Sequence, residues 1–173
     1  MSQFNQQRGV GLIEVLVAVL LLSVAVLGFS ALQLRAISAT NESLVRTQAM
    51  SILRGLAENM RANSAKIDTY QTIINNPSSI TDISLSSCRA ITDNCTATQV
   101  AVKESKAAVT KLTEYGISVM MTTCPGTAGF SEVKCIVAAW DDTQAAMGTG
   151  AQACANADGT YKSGSTCIII EAY

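Results

Sequence analysis

VLVAVLLLSVAVLGFSALQL, residues 15–34, runs for 20 positions without a charge between Glu14 and Arg35. At 1.5 Å per residue a helix of that length spans about 30 Å, the thickness of a bilayer's hydrocarbon core. The stretch reads as a transmembrane helix. A secretory signal peptide has a shorter apolar region, about 7–15 residues, followed by a small-x-small cleavage site. Here the run leads into Gln33, Leu34 and Arg35 instead. A soluble core helix is rarely apolar all round in a chain of 173 residues.

Outside this run the composition is ordinary for one domain. Lys and Arg total 12 against 13 Asp and Glu, His is absent, and charged residues are 14% of the chain against 49% hydrophobic. The near-neutral balance and the lack of a basic run argue against a nucleic-acid partner. Without His, the commonest general base and metal ligand is missing. Glu14 is the anomaly. A carboxylate inside a spanning segment costs about 2.5–3.5 kcal/mol, less near an interface, so Glu14 either sits at headgroup level or has a task in the membrane. Before it stands a polar leader, residues 1–9, whose single charge is Arg8 and which ends in Arg8-Gly9-Val10-Gly11-Leu12-Ile13-Glu14.

RGVGLIEVLVAVLLLSVAVLGFSALQ resembles the N-terminus of a type IV pilin-like prepilin, whose leader ends in Gly and whose fifth mature residue is Glu. The resemblance implies cleavage between Gly9 and Val10 by prepilin peptidase, methylation of the new amino group of Val10, and Glu14 as the assembly residue. Glu14 can neutralise a buried N-terminal ammonium, its own or a neighbour's, where either charge alone is costly. Val10 stands where Phe is commonest, and Ala31 where major pilins usually carry a helix-kinking Pro, so any local break would rely on Gly28. Removal of residues 1–9 takes Arg8 with it and leaves 11 basic against 13 acidic side chains.

After Arg35 the pattern stays helical and becomes amphipathic: Val45, Ala49, Ile52, Leu53, Leu56 and Met60 recur at spacings of three and four. One helix from about residue 10 to about residue 65 is expected, its first half in the membrane and its second half packed on an exported domain. Glu58-Asn59-Met60-Arg61-Ala62-Asn63 resembles a stretch of PilV-type minor pilins. NNPSSITDISLSS, residues 75–87, reads as a loop. Residues 98–113 read as a second helix with Val102, Ala108, Val109 and Leu112 on one face, stopped by Gly116. Residues 117–123, 134–140 and 167–171 read as strands rich in β-branched side chains. The elements read as α+β, a long N-terminal helix packed on a small antiparallel sheet, which the resemblance implies to be a pilin fold with disulfide-bounded loops. The expected domains are a cleaved leader at 1–9, a hydrophobic assembly helix at 10–35 and a periplasmic globular part at 36–173.

The six cysteines, Cys88, Cys95, Cys124, Cys135, Cys154 and Cys167, all lie beyond the anchor, and their even number suggests disulfides in an oxidising compartment. Of about 15 possible connectivities, the pairing of neighbours is expected: Cys88 with Cys95, Cys124 with Cys135, Cys154 with Cys167. No zinc-type spacing occurs, and no metal or cofactor is expected. The loop between Cys154 and Cys167 is one that the resemblance implies to be exposed and to carry subunit contacts. Asn156-Ala157-Asp158-Gly159 reads as a tight turn rather than a calcium loop, Asp141-Asp142 as a solvated turn, and Trp140 as core or interface. The sequons at Asn41 and Asn94 recur by chance. No catalytic residue and no enzymatic role are expected.

The resemblance as a whole implies a minor pilin of the type IV pilus, made in the inner membrane with its C-terminal domain periplasmic and then priming or capping the filament. Its partners would be prepilin peptidase, the other minor pilins and the major pilin through the N-terminal helix, and the inner membrane. A minor pseudopilin of a type II secretion system and a tip adhesin share the same anchor.

Overall fold

The computed structural model describes residues 11–79, 88, 94–129 and 132–173. They fall into a first unit ending at Ser43 and a second, Leu44–Tyr173. Helix α1, Leu12–Ala62, is 51 residues long and continuous through Gly28. Gly28 has no heavy atom within 4 Å of where a Cβ would stand, and the flanking helix formers carry the ladder across it.

In the second unit α1 buries Ala49, Leu53, Leu56, Ala57 and Met60, the stripe expected from the spacing. The helix stops about three residues before the expected end. The Asn63 amide is shared between the carbonyls of Asn59 at 3.0 Å and Met60 at 3.2 Å, which tightens the last turn. A 3₁₀ turn, Ser64–Lys66, then leads into α2, Ile67–Asn75. The sequence reading missed α2, although Ile67, Tyr70, Ile73 and Ile74 form a buried helical face. Of the loop read at 75–87, residue 75 is still helical and 80–87 lie outside the described residues.

Helix α3, Ala97–Glu114, begins on a reciprocal cap: the Thr96 hydroxyl accepts from the Gln99 amide and the Gln99 side chain accepts from the Thr96 amide. It ends where Gly116, at φ +70°, turns the chain into the left-handed region. The Gly116 amide donates to Thr113 and the Ile117 amide to Leu112, both at 2.9 Å, so orphan carbonyls are satisfied while Leu112 and Ile117 are both buried.

The main sheet orders β1 (Ser118–Thr123), β2 (Lys134–Ala139) and β5 (Cys167–Glu171) side by side, antiparallel throughout. Two short strands, β3 (Gln144–Met147) and β4 (Ala153–Ala155), pair parallel in a second ladder with a register shift. They escaped the sequence reading because QAAM and ACA carry no β-branched residue. Alternation of side chains divides the main sheet into two faces. Ile136, Ala138 and Ile168 join the α1 residues, Tyr70 and Leu112 in the larger core. Val137, Ala139 and Cys167 face a smaller core with Cys154, Ala145 and Met147.

On the outer side of β1, two side chains of α2 meet Met121, of which Gln71 donates to its carbonyl at 3.4 Å. Asn75, the last residue of α2, accepts from the Met121 amide at 2.8 Å and donates to the Met121 carbonyl at 2.9 Å, the two bonds a further strand would make. Asn75→Ala leaves a buried amide unpaired, which costs about 1–3 kcal/mol. The expected result is a lower urea midpoint with an unchanged slope; an unchanged midpoint would show that water replaces the amide without loss.

Candidate assembly interface

Glu14 lies in the first turn of α1, its amide bonded to the Gly11 carbonyl at 2.9 Å. A carboxylate there complements the positive end of the helix dipole. Nothing pairs with it among the described residues. Gly9 and Val10, the expected cleavage and methylation positions, lie outside the described residues.

From Leu12 onward the side chains of the first unit are exposed on every face, among them Leu12 at 85%, Leu27 at 71% and Leu34 at 69%. The helix is long and apolar enough to cross a membrane. Its hydroxyls suit that setting, because Ser23 donates to Val19 at 2.8 Å, Ser30 to Val26 at 2.9 Å and Thr40 to Ala36 at 2.8 Å, each four residues back. No hydroxyl proton is then left for lipid to solvate. An element that is apolar all round, with one carboxylate at its start, is built to be covered by lipid or by other helices of its kind.

In the second unit disulfides join Cys88 to Cys95, Cys124 to Cys135 and Cys154 to Cys167, with Cα separations of 5.8, 5.0 and 5.8 Å. The Cys88 carbonyl accepts from the Lys103 ammonium of α3, which ties the first bridge to that helix. The segment between Cys154 and Cys167 is largely exposed. Its tip is a tight turn: the Gly159 amide donates to Asn156 at 3.0 Å, and Asp158 accepts from the Thr160 amide at 3.0 Å and its hydroxyl at 2.6 Å. The Thr160 hydroxyl, then its amide, holds the Asp158 carboxyl below its ordinary range. Gly159 at φ +87° brings the turn onto Pro125, 3.3 Å from where a Cβ would stand, so the turn rests on the loop between Cys124 and Cys135. No group of three His, Cys, Asp or Glu side chains is placed to hold a metal among the described residues.

The other residues singled out in the sequence are structural. Asp141 and Asp142 are exposed in a turn after β2, with Asp141 left-handed at φ +54°. Trp140 is 5% exposed in the larger core. No motif or periodicity signals the Tyr70 and Glu104 pair, 34 positions apart, in which the phenol donates to the carboxylate. Burial first, and then the Glu104 carboxylate, push the Tyr70 phenol well above its ordinary value of 10.0. Because the folded value is raised, the stabilisation is fully present below pH ~10 and is lost as pH rises above it, where the unfolded chain ionises and the folded one does not. Tyr70→Phe is expected to cost about 1.5–3 kcal/mol near neutrality, as for other hydrogen bonds to a charged group, and to flatten the alkaline fall. Urea midpoints at about pH 8 and about pH 11 measure both; a parallel fall in the two proteins would exclude this role.

Residues 4–30 match the family described as the prokaryotic N-terminal methylation motif, and residues 31–104 match the one described as type IV pilin Tt1218. The first spans Glu14 and the start of the apolar run; the second spans the rest of α1, α2 and the beginning of α3. No curated protein and no solved structure matches the chain.

Proposed function

We propose that this chain, a type IV prepilin-like protein, is a PilV-type minor pilin that primes or caps the assembly of a type IV pilus. The observation that carries the proposal is the methylation-motif match over residues 4–30, within which Glu14 stands fifth after Gly9. Pilins are structural subunits, so the work assigned here is packing rather than catalysis. Prepilin peptidase cleaves before Val10 and the new amine is methylated. The apolar helix waits in the inner membrane with the domain after residue 35 in the periplasm. It then leaves lipid for a bundle of similar helices, where Glu14 meets a methylated ammonium of its own or a neighbouring chain.

Two measurements test this. An intact mass of membrane-extracted protein should give a chain beginning at methylated Val10, with a gain of about 2 Da per disulfide on reduction. A chain that keeps Met1 would overturn the processing. Mass spectrometry of sheared surface fibres should find the protein in substoichiometric amount. Its absence there, with loss of protein secretion on deletion, would assign it to a type II secretion pseudopilus instead. An intact fibre that loses only host-surface binding on deletion would make it a tip adhesin.

A further inference from the structure

Within the Leu44–Tyr173 unit, α1 and the rest of the domain carry opposite charge. From Leu44 to the end of α1 there are three basic residues and one acidic; from residue 63 to Tyr173 there are seven basic and ten acidic. On the helix the charge gathers at a cleft of about 500 Å³ lined by Arg46, Thr47, Met50, Ser51 and Arg54, with no acidic residue in its wall. Arg46 and Arg54, about 12 Å apart along the axis, bracket it. Both are exposed and make no ion pair among the described residues. Neither acidic residue one turn away neutralises them through a salt bridge: Glu42 makes none, and Glu58 is held by Arg61 at 2.7 Å.

The opposite charge is concentrated at the turn after β2. Asp141-Asp142 is the one place in the sequence where two acidic residues adjoin, and both are exposed. The turn, structural in its own domain, is braced. The Thr143 amide donates to the Trp140 carbonyl at 3.2 Å, the Thr166 hydroxyl to the same carbonyl at 2.6 Å, and the Thr166 amide to the Thr143 hydroxyl at 2.9 Å. Lys162, which shares a small cleft with Asp142, donates to the Gly150 carbonyl instead. A braced turn with two carboxylates loses little freedom on docking.

We infer that two copies of this chain, side by side, seat the Asp141-Asp142 turn of one in the cleft of Arg46 and Arg54 of the other, each carboxylate taking one guanidinium. The contact joins unlike surfaces, so each copy keeps one half for the next, as in an open filament. A subunit that primes or caps makes it where copies gather at one end of the fibre. A lipid headgroup is the poorer occupant, because Arg46 stands 12 residues past Leu34, about 18 Å of helix against a headgroup layer of about 5–8 Å. The inference rests on the reading of the chain as a filament subunit, and its failure would leave the processing before Val10 untouched.

The test is sedimentation equilibrium of the full chain in zwitterionic detergent micelles. Four samples are compared: wild type, Arg46→Glu with Arg54→Glu, Asp141→Lys with Asp142→Lys, and an equimolar mixture of the two variants. The wild type should self-associate and each variant alone about tenfold or more weakly. The mixture should associate as the wild type does, since the reversed charges match again. Asp141→Asn with Asp142→Asn, in which Asn tolerates the left-handed φ of +54° at residue 141, should weaken association without a reversal and stands in if the lysine variant does not fold. Three results would overturn the inference: no association of the wild type, neutral or reversed variants that associate like the wild type, or a mixture no stronger than its parts. Loss of binding to phosphatidylglycerol vesicles in Arg46→Glu with Arg54→Glu, at unchanged self-association, would give the cleft to lipid.

Discussion

Glu14→Leu is expected to leave the chain in the membrane and to deplete it from sheared fibres by about two to four orders of magnitude. The magnitude follows from leaving one buried charge unpaired, about 3–5 kcal/mol, at about 1.36 kcal/mol per factor of ten. Insertion is not the step that fails. Removing a carboxylate from an apolar helix lowers its cost in lipid by about 2.5–3.5 kcal/mol, so the membrane pool should hold or grow. Every other side chain from Leu12 to Leu22 is uncharged, and no neighbour on the helix can substitute. Glu14→Gln, which hydrogen-bonds without charge, is expected to fall between the two. Quantitative immunoblots of membrane and fibre fractions decide it; wild-type incorporation of Glu14→Leu would mean that the carboxylate serves only the membrane interface.

The second large effect is expected from Cys154→Ala combined with Cys167→Ala. This bridge has the longest separation of the three, 13 residues against 11 and 7, and loop closure of that size is worth about 3 kcal/mol. Its sulfurs also fill the smaller core, with Cys154 at 0% and Cys167 at 5% exposure beside Val137 and Ala139. The β3 and β4 ladder then rests on the packing of Ala145 and Met147 against Val137 and Ala139. A fall in Tm of about 10 °C or more is expected by circular dichroism in micelles. Removing Cys88 and Cys95 together should cost less, about 2.4 kcal/mol from closure of the 7-residue loop. A reversed order would mean that the packing of the smaller core does not depend on its bridge.

What could be read from the chain depended on how local its cause was. The anchor was legible because 20 uncharged residues admit few uses. The strands at β1, β2 and β5 were legible from their β-branched runs. Helix α3 was found without its cap, although Thr96 and Gln99 stand at the capping-box spacing. Helix α2 went unread because nine residues fell between a longer helix and a turn-rich tract. Asn75 looked like a loop residue, and its bonding to the β1 edge depends on Met121, 46 positions away. The same holds for Tyr70 with Glu104 and for Tyr161 with Ile169. Contacts made across the fold leave no periodic trace in the chain. At the candidate interface the apolar helix and Glu14 could both be read from the sequence.

The three disulfides close loops of 7, 11 and 13 residues, and none of them reaches α1. Mechanically, that leaves the helix held to its domain without a covalent strut. A fibre under tension would load each subunit through α1, and within the Leu44–Tyr173 unit the load would pass across the contact of Ala49, Leu53, Leu56 and Met60 with the sheet. The bridges would survive such a pull intact, each guarding its own loop, while the apolar seam set the force at which the subunit yields.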